Sequence, residues 1–86
     1  MNSNNVLVYP NPFADRIQVD VYLSAQEKIS IELYSVLGSK ILELPQKEYS
    51  SGLQQIELQP GHELPNGVYF LKISSGSTTI TKKISK

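Results

Sequence analysis

Eighty-six residues leave room for one hydrophobic core and not for two, and a chain of this size buries only roughly 60–65% of the surface its unfolded form exposes. The absence of cysteine excludes disulfides and thiolate metal sites together, and no unbroken aliphatic or aromatic run is longer than that from Val68 to Leu71, far short of the ~20 residues of a membrane helix. Eight acidic side chains against eight basic ones give a formal net charge of zero, which argues against a general nucleic-acid binder.

No charged segment followed by an apolar stretch opens the chain, so no secretory signal peptide is expected. Met1 before Asn2-Ser3-Asn4-Asn5 reads as a start placed ahead of an excised domain, with residues 1–5 as linker or added sequence. Val6 to Tyr9 reads as a first short strand. Pro10 and Pro12 then fix their own φ angles and push Tyr9 and Asn11 toward extended conformations, which makes a stiff crossing to the second strand.

From Ile17 the apolar residues alternate. Ile17, Val19, Val21 and Leu23 share one parity while Arg16, Gln18, Asp20 and Tyr22 take the other, the period of a strand with one buried face. Ile29, Ile31 and Leu33 repeat the device against Lys28, Ser30 and Glu32, and the short link Ser24-Ala25-Gln26 predicts that the two segments are spatial neighbours. Gly38, whose missing Cβ permits a positive φ, introduces a short strand from Lys40 to Leu44. Pro45 is expected to end it, because proline lacks the ladder donor, and Gln46 to Gly52 reads as a polar loop.

Gln54 to Leu58 is strand-like, with Ile56 and Leu58 inward, and Pro60-Gly61 and Pro65-Asn66-Gly67 are turn signals. Gly67 to Ser74 and Ser77 to Ser85 form a hairpin closed around Ser75-Gly76. Tyr69 shares parity with Leu71 and Ile73, which puts its ring in the core and its hydroxyl at the rim. Val68 and Phe70 face the other way, an apolar pair on an outward face that loop residues are expected to cover. No segment sustains a 3.6-residue period, so no helix is predicted. About seven short strands with regular turn signals predict an all-β, two-sheet sandwich forming a single domain over residues 1–86. Its core is drawn from Ile17, Val19, Val21, Ile29, Ile31, Leu33, Ile56, Leu58, Tyr69, Leu71 and Ile73.

Charge is unevenly placed within this frame. All the carboxylate side chains lie between Asp15 and Glu63, and from Leu64 onward only Lys72, Lys82, Lys83 and Lys86 are charged. Lysines on a final strand guard an open edge against pairing; they also steer a surface toward an acidic partner. Catalysis finds little support. His62 is the sole histidine, so histidines cannot build a metal cluster, and no Gly-x-Ser-x-Gly nucleophile turn is present. The carboxylates are scattered singly, and a small sandwich offers little concave space for a paired-carboxylate site. Neither a catalytic, a cofactor nor a metal site is expected.

Three phrases remain, in order: Tyr9-Pro10-Asn11-Pro12-Phe13, then Leu33-Tyr34-Ser35-Val36-Leu37-Gly38-Ser39-Lys40-Ile41, then Gly67-Val68-Tyr69-Phe70-Leu71-Lys72-Ile73, followed by the tail Lys82-Lys83-Ile84-Ser85-Lys86. From about Leu7 to Lys86 the chain resembles the type A C-terminal sorting domain of cargo proteins of the Bacteroidetes type IX, or Por, secretion system. The resemblance implies an immunoglobulin-like β-sandwich that acts as an address and not as an enzyme. It implies a cargo domain N-terminal to this one that reaches the periplasm, and recognition by the outer-membrane translocon. A sortase-like peptidase then removes the domain, often joining the cargo to an anionic lipopolysaccharide, so the destination is the medium or the cell surface. By position, the family's functional weight carries onto Gly67, Tyr69, Lys72, Ile73, Lys82, Lys83 and Lys86, with Pro10, Asn11 and Pro12 matching the first motif and Gly38 and Lys40 the middle one. Ser39 departs from the residue usual there, and only Asn2–Asn5 represents the upstream cleavage region.

A tail read by a receptor is expected to be exposed, so that removing Ile84-Ser85-Lys86 leaves the fold largely intact, with a small cost at Ile84. The last strand's edge, discouraged from pairing only by its lysines, predicts a monomer with a minor dimer. The competing reading is a fibronectin-like or carbohydrate-binding accessory module of an extracellular enzyme. It fits a sandwich equally well, but it is weakened by the absence of tryptophan and by only seven aromatic residues.

Overall fold

Each alternating segment becomes a strand because its branched residues gain a shared buried face only when extended. A computed structural model, describing residues 1–61, 63–76 and 78–86, shows β1 (Val6–Tyr9), β2 (Ile17–Leu23), β3 (Glu27–Ser35), β4 (Lys40–Tyr49), β5 (Gly52–Leu58), β6 (Val68–Ser75) and β7 (Thr78–Ser85). They form two antiparallel sheets, ordered β1-β2-β5 and β4-β3-β6-β7. This is an immunoglobulin-like order in which the fourth strand sits on the sheet of the third, sixth and seventh. Among the described residues the only helical element is a 3-10 turn, Ser3–Asn5, where the Asn2 side chain accepts from the Asn4 N–H at 2.9 Å.

Every residue predicted for the core is buried, and Val6, Phe13, Leu23, Leu64, Ile80 and Ile84 join them. The link over residues 24–26 does not make paired neighbours of its flanking strands. β2 and β3 lie in different sheets, so the link crosses between layers. Both strands carry one apolar face, and stacking those faces seals them together, which pairing edge to edge would not.

Pro45 does not end its strand: β4 runs on to Tyr49, and the predicted loop shrinks to Ser50 and Ser51. Two features accommodate the proline. β4 is an edge strand, and the pairing jumps from Ile31↔Leu44 to Ile29↔Lys47, leaving one extra residue around Pro45-Gln46. An edge position with a bulge is where a strand tolerates a missing donor. In the last hairpin β6 extends through Ser75, and Gly76 holds φ 58° in the turn. The predicted strand start at Ser77 lies outside the described residues, as does His62. Val68 and Phe70 are half-buried on the outer face, where Phe70 pairs across with Tyr34 on one side and Lys83 on the other.

Candidate functional site

Antiparallel order makes β1, β3, β5 and β7 end, and β2, β4 and β6 begin, at the same pole of the sandwich. The three phrases are far apart in sequence but all fall at these strand ends. The pole is held by a compact set of bonds. Phe13, buried, meets the Tyr69 ring edge-on at 5.7 Å between centroids, which links the two sheets. Its backbone N–H donates to the Ser85 carbonyl at 2.9 Å. Asn11 returns the favour with its side chain: Oδ1 accepts from both the N–H and the hydroxyl of Ser85, each at 3.0 Å.

Tyr69 behaves as its parity predicts. Its ring is 4% exposed, and its hydroxyl donates to the Pro65 carbonyl at 2.6 Å. A tyrosine near the start of the sixth strand bonding back to the preceding corner is a recurring immunoglobulin-fold clasp. Beside it, Gly67 and Lys86 exchange both backbone hydrogen bonds, at 3.1 and 2.8 Å, while the Lys86 ammonium donates to the Leu64 carbonyl at 2.7 Å. The tail is therefore structural. Ile84 is buried opposite Tyr69, and only 12% of the Lys86 side chain is exposed. The expectation of an exposed tail is overturned, because the chain's end completes β7 and ties down the loop before β6.

The β3–β4 turn closes the remaining corner. Gly38 stands at φ 91°, a region that L side chains rarely adopt, and its N–H donates to the Ser35 carbonyl at 3.0 Å. Ser35 N–H donates to Ser39 O at 2.9 Å, and Ser39 N–H to Ser35 Oγ at 3.1 Å. Lys40 follows, 2.9 Å from Glu32 and 3.5 Å from Glu43. Its bond to Glu32 raises the ammonium's pKa and lowers that of the carboxylate. Both groups stay charged at neutral pH, as they would without each other.

The sequence-predicted residues thus divide. Pro10, Asn11, Pro12, Gly38, Lys40, Gly67, Tyr69 and Lys86 come together at the pole. Lys72, Ile73 and Lys82 lie along the middle of β6 and β7, where Ile73 is buried between Ile31 and Ile80. Lys82 points its ammonium at Ser3, donating to its carbonyl at 3.0 Å and its hydroxyl at 2.9 Å, and so closes the open side of the sandwich. Lys83, on the outer face of the edge strand, is exposed. An open cleft of about 570 Å³ lies at the pole between Ala14-Asp15 on one side and Pro60, Gly61, Glu63 and Leu64 on the other, with Lys86 in its wall. Phe13, Leu64, Pro65 and Ser85, with Ser35 and Ser39 in the β3–β4 turn, also build the pole and fell outside the predicted site residues. Phe13 carried a signal, as an apolar residue directly after the second proline.

Residues 7–86 match the family of secretion-system C-terminal sorting domains. The chain belongs to that family. Among curated proteins none matches it. The sorting domain is the C-terminal signal for type IX secretion, so its role is to engage that machinery on behalf of a cargo N-terminal to it and to send that cargo out of the cell, free or surface-attached. Sorting domains form a signal family and not a catalytic one, and the match favours this role over the accessory-module reading.

Proposed function

We propose that the sorting domain is read in its folded form, through the pole that gathers its three motifs, by the outer-membrane translocon of the type IX system. A sortase-like peptidase then removes it, leaving the cargo secreted or joined to the cell surface. The observation that carries this reading is the convergence of Asn11, Phe13, Tyr69, Ser85 and Lys86 in one bonded cluster. Residues 1–5 enter β1 at the end of that strand away from the motif pole, with Ser3 against Lys82 in mid-β7, which leaves the motif pole clear of a preceding cargo. In this view the domain is a substrate of the machinery and no enzyme itself. Pro10, Pro12 and Lys83 supply surface, whereas Tyr69, Ile73, Lys82 and Lys86 hold the shape of the surface that is read.

The test is a fusion of residues 1–86 behind a reporter with a Sec signal, expressed in a bacterium that has a type IX system. The reporter should reach the surface or medium, and its mass should show the domain removed. Retention of the reporter in the periplasm with the domain folded would refute recognition. Export with the domain still attached would remove the processing step alone.

The reading also takes the domain as a monomer with at most a minor dimer, because Lys82 and Lys83 lie on the open β7 edge. Light scattering at micromolar concentration should give the mass of one chain, and a tight higher oligomer would contradict it.

A further inference from the structure

The segment that leads into β1 is built into the domain and is no loose linker. Asn2 caps the Ser3–Asn5 turn: its side-chain oxygen accepts from the Asn4 N–H at 2.9 Å, and its carbonyl accepts from the Asn5 N–H at 3.0 Å. The turn packs against β2. From the other sheet, Lys82 reaches across the open side of the sandwich and donates to the Ser3 carbonyl and hydroxyl at 3.0 and 2.9 Å.

This lysine does more than guard an edge. It shares the inward parity of Ile80 and Ile84, both buried, so its stem follows the inner face of the edge strand β7. A charge that only discourages edge pairing needs no fixed partner, and the exposed Lys83 next to it has the outward parity suited to that task. Lys82 is half-buried, makes no ion pair among the described residues, and directs its ammonium at two oxygens of a single residue. Its charge is tied to the entry turn and to no acid.

A peptidase takes its substrate in extended form. A bond inside a hydrogen-bonded turn is therefore cut only after the turn opens, at a rate that follows the population of the open form. We infer that Lys82 is a latch that keeps Asn2–Asn5 folded onto the domain, so that the peptidase cuts upstream of Asn2. Residues 2–5 are then the first element of the released domain and not its cleavage region. In the cut, the amide C–N bond breaks and the acyl carbon passes to a water or an acceptor amine. The proton which that nucleophile gives up goes to the new amino terminus of the domain. The cut position rests on the proposed removal of the domain, whereas the latch stands on the contacts alone.

Two measurements test the pair. The unprocessed reporter fusion, purified from a host without the secretion system, is digested with proteinase K and the surviving domain weighed by mass spectrometry. The parent should keep Asn2–Asn5. Lys82→Met retains the stem and loses every donor, and should shed those residues about tenfold faster while the strands survive, as for the loss of two hydrogen bonds. Ser3→Ala removes one acceptor at an exposed position and should give about a threefold change, which decides the latch even if Lys82→Met fails to fold. Equal rates in the parent and Ser3→Ala, with no faster loss in a folded Lys82→Met, overturn the latch. In the secreting bacterium, the domain released from the parent fusion should carry all of residues 2–86, and a fragment that begins at Ser3 or later overturns the upstream cut. Retention in the periplasm, or export uncut, overturns the reading on which the cut position rests, while the digestion still decides the latch.

Discussion

Deleting Ile84, Ser85 and Lys86 is expected to unfold the sorting domain. Ile84 is 3% exposed and packs opposite Tyr69, so its loss opens a cavity at the cost of about 2–5 kcal/mol, as for other buried aliphatic truncations. The same cut removes the Gly67–Lys86 backbone pair, the Phe13–Ser85 bond, both contacts to Asn11 and the Lys86 bond to Leu64. Each hydrogen bond contributes about 0.5–1.5 kcal/mol net, and more where its abandoned partner stays buried. A domain of this size has only about 4–13 kcal/mol in total. The truncated chain should show no cooperative thermal transition near that of the parent, measured by circular dichroism. A truncated chain melting within a few degrees of the parent would refute the structural role of the tail.

An export defect in such a truncation therefore reports loss of the fold before it reports loss of an address. A linear tag read at its end would have a free ammonium and an extended, unpaired backbone. Here the last residue exchanges both backbone hydrogen bonds with Gly67 and directs its ammonium inward to Leu64. The tail's cationic character divides accordingly: Lys82 and Lys86 are bonded within the domain, and Lys83 alone faces out from the edge strand.

Parity made the inner faces of β2, β3, β5 and β6 legible, because a period of two admits one buried set and every residue predicted for the core is buried. The clasp of Tyr69 was half legible: its ring followed from parity, while its partner, the Pro65 carbonyl, is a backbone atom that no residue pattern marks. Sheet assignment was not legible. The link over residues 24–26 is short whether it turns within a sheet or crosses between sheets, and only the need to cover two apolar faces decides. Pro45 misled because its missing donor ends a central strand but not an edge strand with a bulge, and edge status is a property of the whole sheet. The tail misled for a related reason. Its partners Asn11, Phe13, Leu64 and Gly67 are distant in sequence, 74 residues for the Ser85–Asn11 bond and 22 for Lys86–Leu64, so nothing local announces them.

Val19→Asp is expected to abolish both folding and export, although it changes none of the three motifs and leaves the tail intact. Val19 is fully buried in the middle of β2, paired with Val8 on one side and Ile56 on the other. A carboxylate there has no hydrogen-bond partner and no water, at a cost of several kcal/mol even after the group takes up a proton, comparable with the stability of the whole domain. Val19→Ala at the same site removes only packing and should leave a weakened but folded domain. The pair isolates the fold from the residues that carry the family motifs. If the signal is the folded pole, the alanine variant exports the reporter and the aspartate variant leaves it in the periplasm, where immunoblotting of fractions finds it at full length. Export of an unfolded Val19→Asp fusion at the parent's level would mean that the machinery reads the motifs as a linear sequence, and the folded-pole reading would fall.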